Sequence, residues 1–356
     1  MIHARINNLK FSAISVASPT KKVAVESFYD IFGKEDVDSF TEMTGVESFY
    51  RADYNQTAGD LGFIAANDAI TKTNIDLNDI GILVFVTQKP DHRLPSTAFL
   101  LQKRLGLSTD CLCFDLNLAC SGFIFGLHSI MSILKSSNSK AALLVTGDTS
   151  HRTLSPSDRT MIMLFGDSGT ATLIEKDESS SPSYFAFRTD GKRFKSIITP
   201  SGAFRNIGAP KERIPWGDGI VRSDYDTHMK GMDVFGFSIT DVPKLMKELM
   251  SELGSSPDTY DYFALHQANK FILQRISAKL KIPWEKIPLA LDRFGNNSSN
   301  SIPLALADRF GSEKDKKIRT FMSGFGAGLS WGCCDITLGT EAIHPIIFSD
   351  EYYRDG

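Results

Sequence analysis

The sequence predicts an α/β protein built from two similar halves, each a sheet with helices packed on it. Three observations carry that reading. Apolar, β-branched runs of strand length alternate with segments whose apolar residues recur at helical spacing. A serine-rich polar stretch with a proline, KDESSSPS at 176–183, falls almost at the midpoint of the 356 residues, where a surface connection would lie. Segments on its two sides repeat in shape and order. The expected division is residues 1–176 and residues 184–356.

Each element has its own signal. DIGILVFVT (79–87) is a β-branched apolar strand with polar ends, and DTYDYFALH (258–266) has the same length and outline in the second half. STAFLLQKRLGL (96–107) opens on a serine, a good N-cap, and continues at helical spacing. CLCFDLNLA (111–119) reads as a further strand. GFIFGLHSIMSILKSS (122–137) is apolar nearly all round, which predicts a buried helix. The first half closes on a glycine-rich turn feeding a strand, LFGDSGTATLIE (164–175). In the second half, ITDVPKLMKELMSEL (239–253) and ANKFILQRISAKL (268–280) are amphipathic helices. SGFGAGLSWGCCDITLG (323–339) then repeats the glycine-rich turn and strand. Strands separated by helices predict a mostly parallel sheet, with chemistry where strand carboxyl ends meet helix starts.

Composition narrows the function. A net charge of -3 leaves no global basic field to hold a nucleic acid. No apolar run approaches the roughly 20 residues of a membrane helix. The opening residues, MIHARINNLKFSAISVAS, lack the charged start and apolar core of an export signal, so a cytoplasmic protein is expected. The cysteines (Cys111, Cys113, Cys120, Cys333 and Cys334) are sparse and odd in number, which fits a reducing compartment. Their spacing is not that of metal ligands.

Three residues carry the candidate chemistry. Cys120 sits between a strand and the buried helix. There the free N–H groups and positive end of the helix dipole favour a thiolate and lower a thiol's pKa. Ser121 and Gly122 are small enough to let a substrate approach. Position alone does not separate such a nucleophile from a buried structural thiol, which is how the other four cysteines read. His266 ends an apolar strand before a helix; alone it is equally a core histidine. Asn296 lies in GNNSSNS, which alone is an asparagine-rich turn. Together, at strand-to-helix corners of a repeated unit, the three point to thioester chemistry. A thiolate attacks the carbonyl, an imidazole N–H and an amide NH2 hold a developing enolate oxygen, and backbone N–H groups of GFGAG bind a second oxyanion.

DLNLACSGF, LHQAN, FGNNSSNSIPLAL and SGFGAGLSWG, with TGVESFYR (44–51) and SPSDRTMIMLFGDSGTATLIE (155–175), resemble the β-ketoacyl-acyl-carrier-protein synthase III family of thiolase-like condensing enzymes. The matches follow the family's order from residue 44 to residue 332. The resemblance implies a thiolase-like αβαβα five-layer fold from two duplicated halves, and a homodimer. It implies acyl transfer to Cys120 from an acyl-CoA or an acyl-carrier-protein thioester. A decarboxylative condensation with a malonyl thioester follows, in fatty acid biosynthesis, with no metal or redox cofactor. His266 and Asn296 correspond to the pair that stabilises the enolate. The backbone N–H groups of Cys120 and Ala327 correspond to the oxyanion hole, which requires Gly326 and its neighbours to approach closely. Asn269 and Arg159 correspond to contacts with the pantetheine and nucleotide ends of the substrate. Leu94 corresponds to a residue reaching into the partner subunit's acyl pocket, often a phenylalanine; leucine shapes the tunnel differently.

Two departures bear on substrate. Ser39 and Met43 occupy positions where family members primed by acyl-CoA often carry a tryptophan and an arginine gripping the adenine. Neither can stack or bridge in that way, so a carrier-borne acyl group is an alternative donor. Residues 201–231, SGAFRNIGAPKERIPWGDGIVRSDYDTHMKG, read either as a lid over the entrance or as a surface insertion. An acidic carrier protein needs a local basic patch. Arg275 and Lys279 share a face of the helix after His266, with Lys270 and Lys281 round the other side; a solvated helix face is the alternative. Three rival functions remain at this point. One is acyl transfer to an oxygen or nitrogen nucleophile without decarboxylation. Another is a Cys-His-Asn hydrolase of the papain type, whose histidine must contact the thiol. The third is a non-catalytic partner subunit of a heterodimer, which usually lacks the nucleophile.

Overall fold

The computed structural model describes residues 2–354. Before the 177–182 turn the chain forms β1 (Ile2–Ile6), β2 (Leu9–Ser18), α1 (Lys34–Thr44), α2 (Ala58–Thr73) and β3 (Ile80–Val86). It continues through α3 (Thr97–Leu105), β4 (Leu112–Leu116), α4 (Gly122–Ser136), β5 (Ala141–Asp148) and β6 (Ser168–Lys176). After the turn come β7 (Ser183–Thr189), α5 (Gly231–Glu252), β8 (Tyr262–Leu265) and α6 (Lys270–Leu280). The last elements are α7 (Ser301–Phe310), β9 (Lys317–Gly326), β10 (Ser330–Gly339) and β11 (Ile347–Phe348).

The strands sort into two sheets, ordered β11-β2-β6-β5-β3-β4 and β1-β7-β10-β9-β8. Over four consecutive strands, the second repeats the first. β2-β6 and β6-β5 are antiparallel and β5-β3 is parallel; β7-β10 and β10-β9 are antiparallel and β9-β8 is parallel. The outer strand of each comes from the far end of the chain, β11 on β2 and β1 on β7. The duplication is therefore present, but the expected mostly parallel arrangement is corrected to two mixed sheets. The cause is local. After β5 the chain stays at the strand's carboxyl end through residues 149–167 before re-entering as β6, and after β9 residues 327–329 do the same. Without a crossover helix, the returning strand runs antiparallel.

Burial follows strand alternation. In β3, Ile82, Val84 and Val86 face one core while Leu83 and Phe85 face another, the pattern of a strand covered on both sides. The first core lies between the sheets. There α4 contributes Phe123, Ile124, Leu127 and Ile130, and α7 contributes Ile302, Leu304 and Leu306. That central place accounts for the near-uniform apolarity of α4. α2 and α3 cover the outer face of the first sheet, and α5 and α6 cover that of the second. The result is a five-layer αβαβα sandwich. Small residues let α2 press on its sheet: a Cβ on Gly62 would meet Val145 Cγ1 at 2.7 Å. No helix among the described residues is long and apolar enough to cross a membrane.

Some bounds differ from expectation. Residues 258–266 form a strand only over Tyr262–Leu265, because Pro257–Thr259 is a capped 3-10 turn. The helix expected at 239–253 begins at Gly231. Phe237 there packs edge-on against Trp331 at 5.1 Å, and that packing overrides Gly231 and Gly236. The polar stretch 201–231 has a fixed shape. Arg213 pairs with Asp226, Trp216 packs edge-on against His228 at 4.3 Å, and buried Arg222 pairs with buried Asp158. Thr227 N donates to Thr153 O at 2.7 Å. The segment is thus anchored on the loop that carries Arg159.

Candidate active site

Cys120 occupies the turn between β4 and α4, one residue before the N-cap Ser121. Ser121 does not cap the helix with its side chain. Its hydroxyl bonds Ser330 Oγ at 2.7 Å, which ties the start of α4 to β10 in the other sheet. Gly122 has to be glycine, since a Cβ there would meet Val86 Cγ1 at 2.5 Å. The end of β9 completes the wall: a Cβ on Gly326 would stand 2.8 Å from Cys120 Cβ and 3.3 Å from its Sγ. The glycine-rich turn therefore lies directly against the thiol, with Ala327 next in the chain.

His266 follows β8, and its backbone N–H donates to Ser323 O at 2.8 Å, prolonging the β8-β9 pairing by one residue. The ring is 2% exposed and packs edge-on against Phe325 at 5.2 Å. Its Nδ1 has no hydrogen-bond partner. Asn296 is pinned by its backbone, with N donating to Leu164 O at 2.8 Å and O accepting from Gly166 N at 3.1 Å. Its side-chain Oδ1 accepts from Ser298 N at 2.9 Å, while Nδ2 reaches Ala268 O only at 3.4 Å. The three sequence-identified residues meet around Ser298. Its Oγ is 3.9 Å from Cys120 Sγ, its N–H is held by Asn296, and its backbone faces the His266 ring. Ser298 adopts a left-handed backbone with φ 50°, which the Asn296 bond holds in place.

Burial opposes the helix dipole at the nucleophile. Burial pushes the Cys120 thiol up to about 12; the Ser298 hydroxyl pulls it down and the Asp148 carboxylate adds to the rise. A helix start supplies about 0.3–1 kcal/mol, less than the roughly 1.4 kcal/mol of a single pKa unit. With no cation at the sulfur, desolvation wins over the dipole. Burial likewise pulls the His266 imidazole down to about 3, against a small opposing effect of the Ser298 backbone. The resting site is a thiol beside a neutral imidazole. Asp148 and Ser298 are the residues sequence reasoning missed. Their only signals were a polar residue closing an apolar strand at this corner, and a serine in the turn that already held Asn296.

The remaining candidates lie further out. Asn269 caps α6, its Oδ1 accepting from Ile272 N at 2.8 Å. Arg159 is exposed and paired with Asp36 on α1, the helix that also carries exposed Ser39 and Met43. Leu94 is 86% exposed in the loop before α3. Lys270, Arg275 and Lys279 are exposed on α6. Arg275 lies over the Phe271 ring at 4.6 Å, Lys279 Nζ donates to Ile239 O at 2.9 Å, and Lys270 packs near Gly45 on the opposite side. Cys111, Cys333 and Cys334 are buried, and Cys113 is half-buried.

Two family models match the chain. That of 3-oxoacyl-[acyl-carrier-protein] synthase III matches residues 114–191, which include Cys120; that of the C-terminal part of the same enzyme matches residues 250–338, which include His266 and Asn296. A putative 3-oxoacyl-[acyl-carrier-protein] synthase 3 of Campylobacter jejuni is 32% identical over 337 residues, spanning 92% of this chain and 93% of the relative. The β-ketoacyl-[acyl-carrier-protein] synthase III of Porphyra purpurea is 34% identical over 320 residues, spanning 88% of this chain and 94% of the relative. Among solved structures, a 3-oxoacyl-(acyl-carrier protein) synthase from Burkholderia xenovorans matches with a TM-score of 0.91 at 32% identity, covering 98% of this chain and 99% of that one.

Proposed function

Because the chain belongs to the 3-oxoacyl-[acyl-carrier-protein] synthase III family, we propose that Cys120, His266 and Asn296 divide a two-step condensation between them. The enzyme joins an acyl group to a malonyl-derived unit and releases a β-ketoacyl thioester. In the first step Cys120 Sγ attacks the donor thioester, the donor's C–S bond breaks, and its thiol leaves with the proton that Cys120 gives up. In the second, a malonyl thioester enters and its carboxylate leaves as carbon dioxide. An imidazole N–H of His266 and the Asn296 amide hold the enolate oxygen, and the enolate carbon displaces Cys120 from the acyl group as a thiolate, which regains its proton from solvent. A neutral imidazole is the form that suits a hydrogen-bond donor to a weakly basic oxygen. The long 3.4 Å bond of Asn296 Nδ2 favours its recruitment by substrate. We assign the oxyanion hole to the backbone N–H groups of Cys120 and Ala327, supported by the close approach of Gly326.

The observation that carries the reading is the convergence of all three side chains on Ser298. The papain-type alternative loses support because the sulfur's hydrogen-bond partner is Ser298 rather than the histidine. The donor we propose is an acyl-carrier-protein or coenzyme A thioester, entering past Arg159 and Asn269, with Arg275 and Lys279 on the docking face. We further propose a homodimer in which a second copy covers Leu94, and a division of roles in which residues 1–176 supply the nucleophile and residues 184–356 the enolate pair. The test is label release from a malonyl thioester carrying its label in the free carboxylate. Wild type given an acyl donor should release labelled carbon dioxide, and His266→Ala should stop that release while still acquiring the acyl mass on Cys120. Acylation of wild type with no label released would instead favour transfer to an oxygen or nitrogen nucleophile.

A further inference from the structure

One buried carboxylate at the site has no part in the two steps above. Asp148 closes β5 and is 2% exposed. Its Oδ1 accepts from Gln88 N at 3.1 Å and from Thr87 Oγ1 at 3.3 Å. Its Oδ2 is buried with no partner at ordinary hydrogen-bond distance. An unused carboxylate oxygen in the interior is costly unless something reaches it. The Ser298 hydroxyl faces the carboxylate without a hydrogen bond of ordinary geometry, and its oxygen lies 3.9 Å from Cys120 Sγ. A serine hydroxyl can accept one proton and donate another at the same time. The charged and titratable groups facing Asp148 are Lys89, from the loop after β3, and Cys120 itself.

We propose that Ser298 and Asp148 form a proton relay that activates Cys120 for acylation. The inference rests on the reading of Cys120 as the acylated nucleophile. As the sulfur attacks the donor carbonyl, its S–H bond breaks and the proton passes to Ser298 Oγ. The Ser298 proton passes in turn to Asp148 Oδ2. When the tetrahedral intermediate collapses, the leaving thiolate takes a proton from Ser298 Oγ, which regains one from Asp148 Oδ2, so the carboxylate is restored and no net charge is left. His266 is spared this duty, which fits its neutral state and the sulfur's hydrogen bond to Ser298. Between turnovers the Asp148 charge disfavours a standing thiolate, so the nucleophile appears only when a carbonyl is present to consume it.

The test separates a relay from a structural or purely electrostatic role. Two rates are measured for wild type and Asp148→Asn: acylation of Cys120 by an acyl thioester, read by intact-protein mass, and alkylation of Cys120 by iodoacetamide across pH. General base assistance of this kind is typically worth 10²–10⁴ in rate, so acylation by Asp148→Asn should fall about 100-fold or more at neutral pH. The alkylation midpoint should move to lower pH, because the neighbouring negative charge is gone. Ser298→Ala should slow acylation comparably, and the double variant should be no slower than the slower single one, as members of one unit behave. If Asp148→Asn lowers the alkylation midpoint yet acylates faster, its charge merely suppresses the thiolate and the relay is wrong. Acylation unchanged in both single variants would overturn it as well. If Asp148→Asn does not fold, Ser298→Ala alone decides on the acylation rate. Wild type that is never acylated at Cys120 would instead refute the proposed function on which the relay rests.

Discussion

Gly326→Ala probes the close approach of the glycine-rich turn to the nucleophile. The added Cβ would sit 2.8 Å from Cys120 Cβ and 3.3 Å from its Sγ. Comfortable carbon contacts lie near 3.5–4.0 Å, so one wall must move by roughly 0.7 Å or more. Neither wall moves easily. Cys120 is fixed by the α4 start and by the Ser121–Ser330 bond, and Gly326 is the last rung of the β9-β10 pairing, opposite Ser330. Overpacking of this sort costs about 1–3 kcal/mol of stability. The effect on rate should be larger, because a displacement near 1 Å at a reacting atom costs on the order of 10². Single-turnover acylation followed by intact-protein mass would read the rate, and thermal unfolding the stability. Gly191→Ala is the control, since a Cβ there meets nothing within 4 Å. Acylation of Gly326→Ala within threefold of wild type would refute the argument that this glycine sets the geometry of the thiol.

Other outcomes follow from the same geometry. Unfolded, His266 takes up its proton near pH 6.5; folded, burial delays this to about 3. Between those values the unfolded chain holds more protons, so stability should fall as pH drops through that window. The Tm difference between pH 7 and pH 4.5 should shrink in His266→Gln. Arg222→Ala leaves buried Asp158 without its partner, at a cost of about 3–5 kcal/mol. Limited proteolysis should then cut within 201–231 faster than in wild type. Asn296→Ala removes the acceptor of Ser298 N and an enolate donor, and should cut condensation more than acylation; a uniform loss in both would argue against its assigned role.

Much of the fold was legible because strand and helix periods differ. The alternation in 80–86 and the all-round apolarity of 122–136 each reflect a single burial environment. Strand direction was not legible. It depends on whether a connection crosses the sheet or stays at one end, and residues 149–167 give no sign of which. The site was legible as three corners rather than as a cluster. Cys120, His266 and Asn296 lie far apart in sequence, and only the repeat and the family resemblance suggested that they face one another. The upward pull of burial on the Cys120 thiol was not legible, because a helix start is visible in sequence while desolvation is not. Asp148 and Ser298 were missed for a related reason: nothing in the chain marks an unpaired buried oxygen. The anchoring of 201–231 depends on Arg222, whose buried partner Asp158 lies 64 positions away.

The central claim is that Cys120 carries the acyl group. Wild type and Cys120→Ala would be incubated with a panel of acyl-CoA and acyl-carrier-protein thioesters and weighed intact. Wild type should gain one acyl mass on Cys120 and lose it when a malonyl thioester is added, with a β-ketoacyl thioester appearing. Cys120→Ala should gain none. A Cys120→Ala protein that acylates at the wild-type rate would contradict the account.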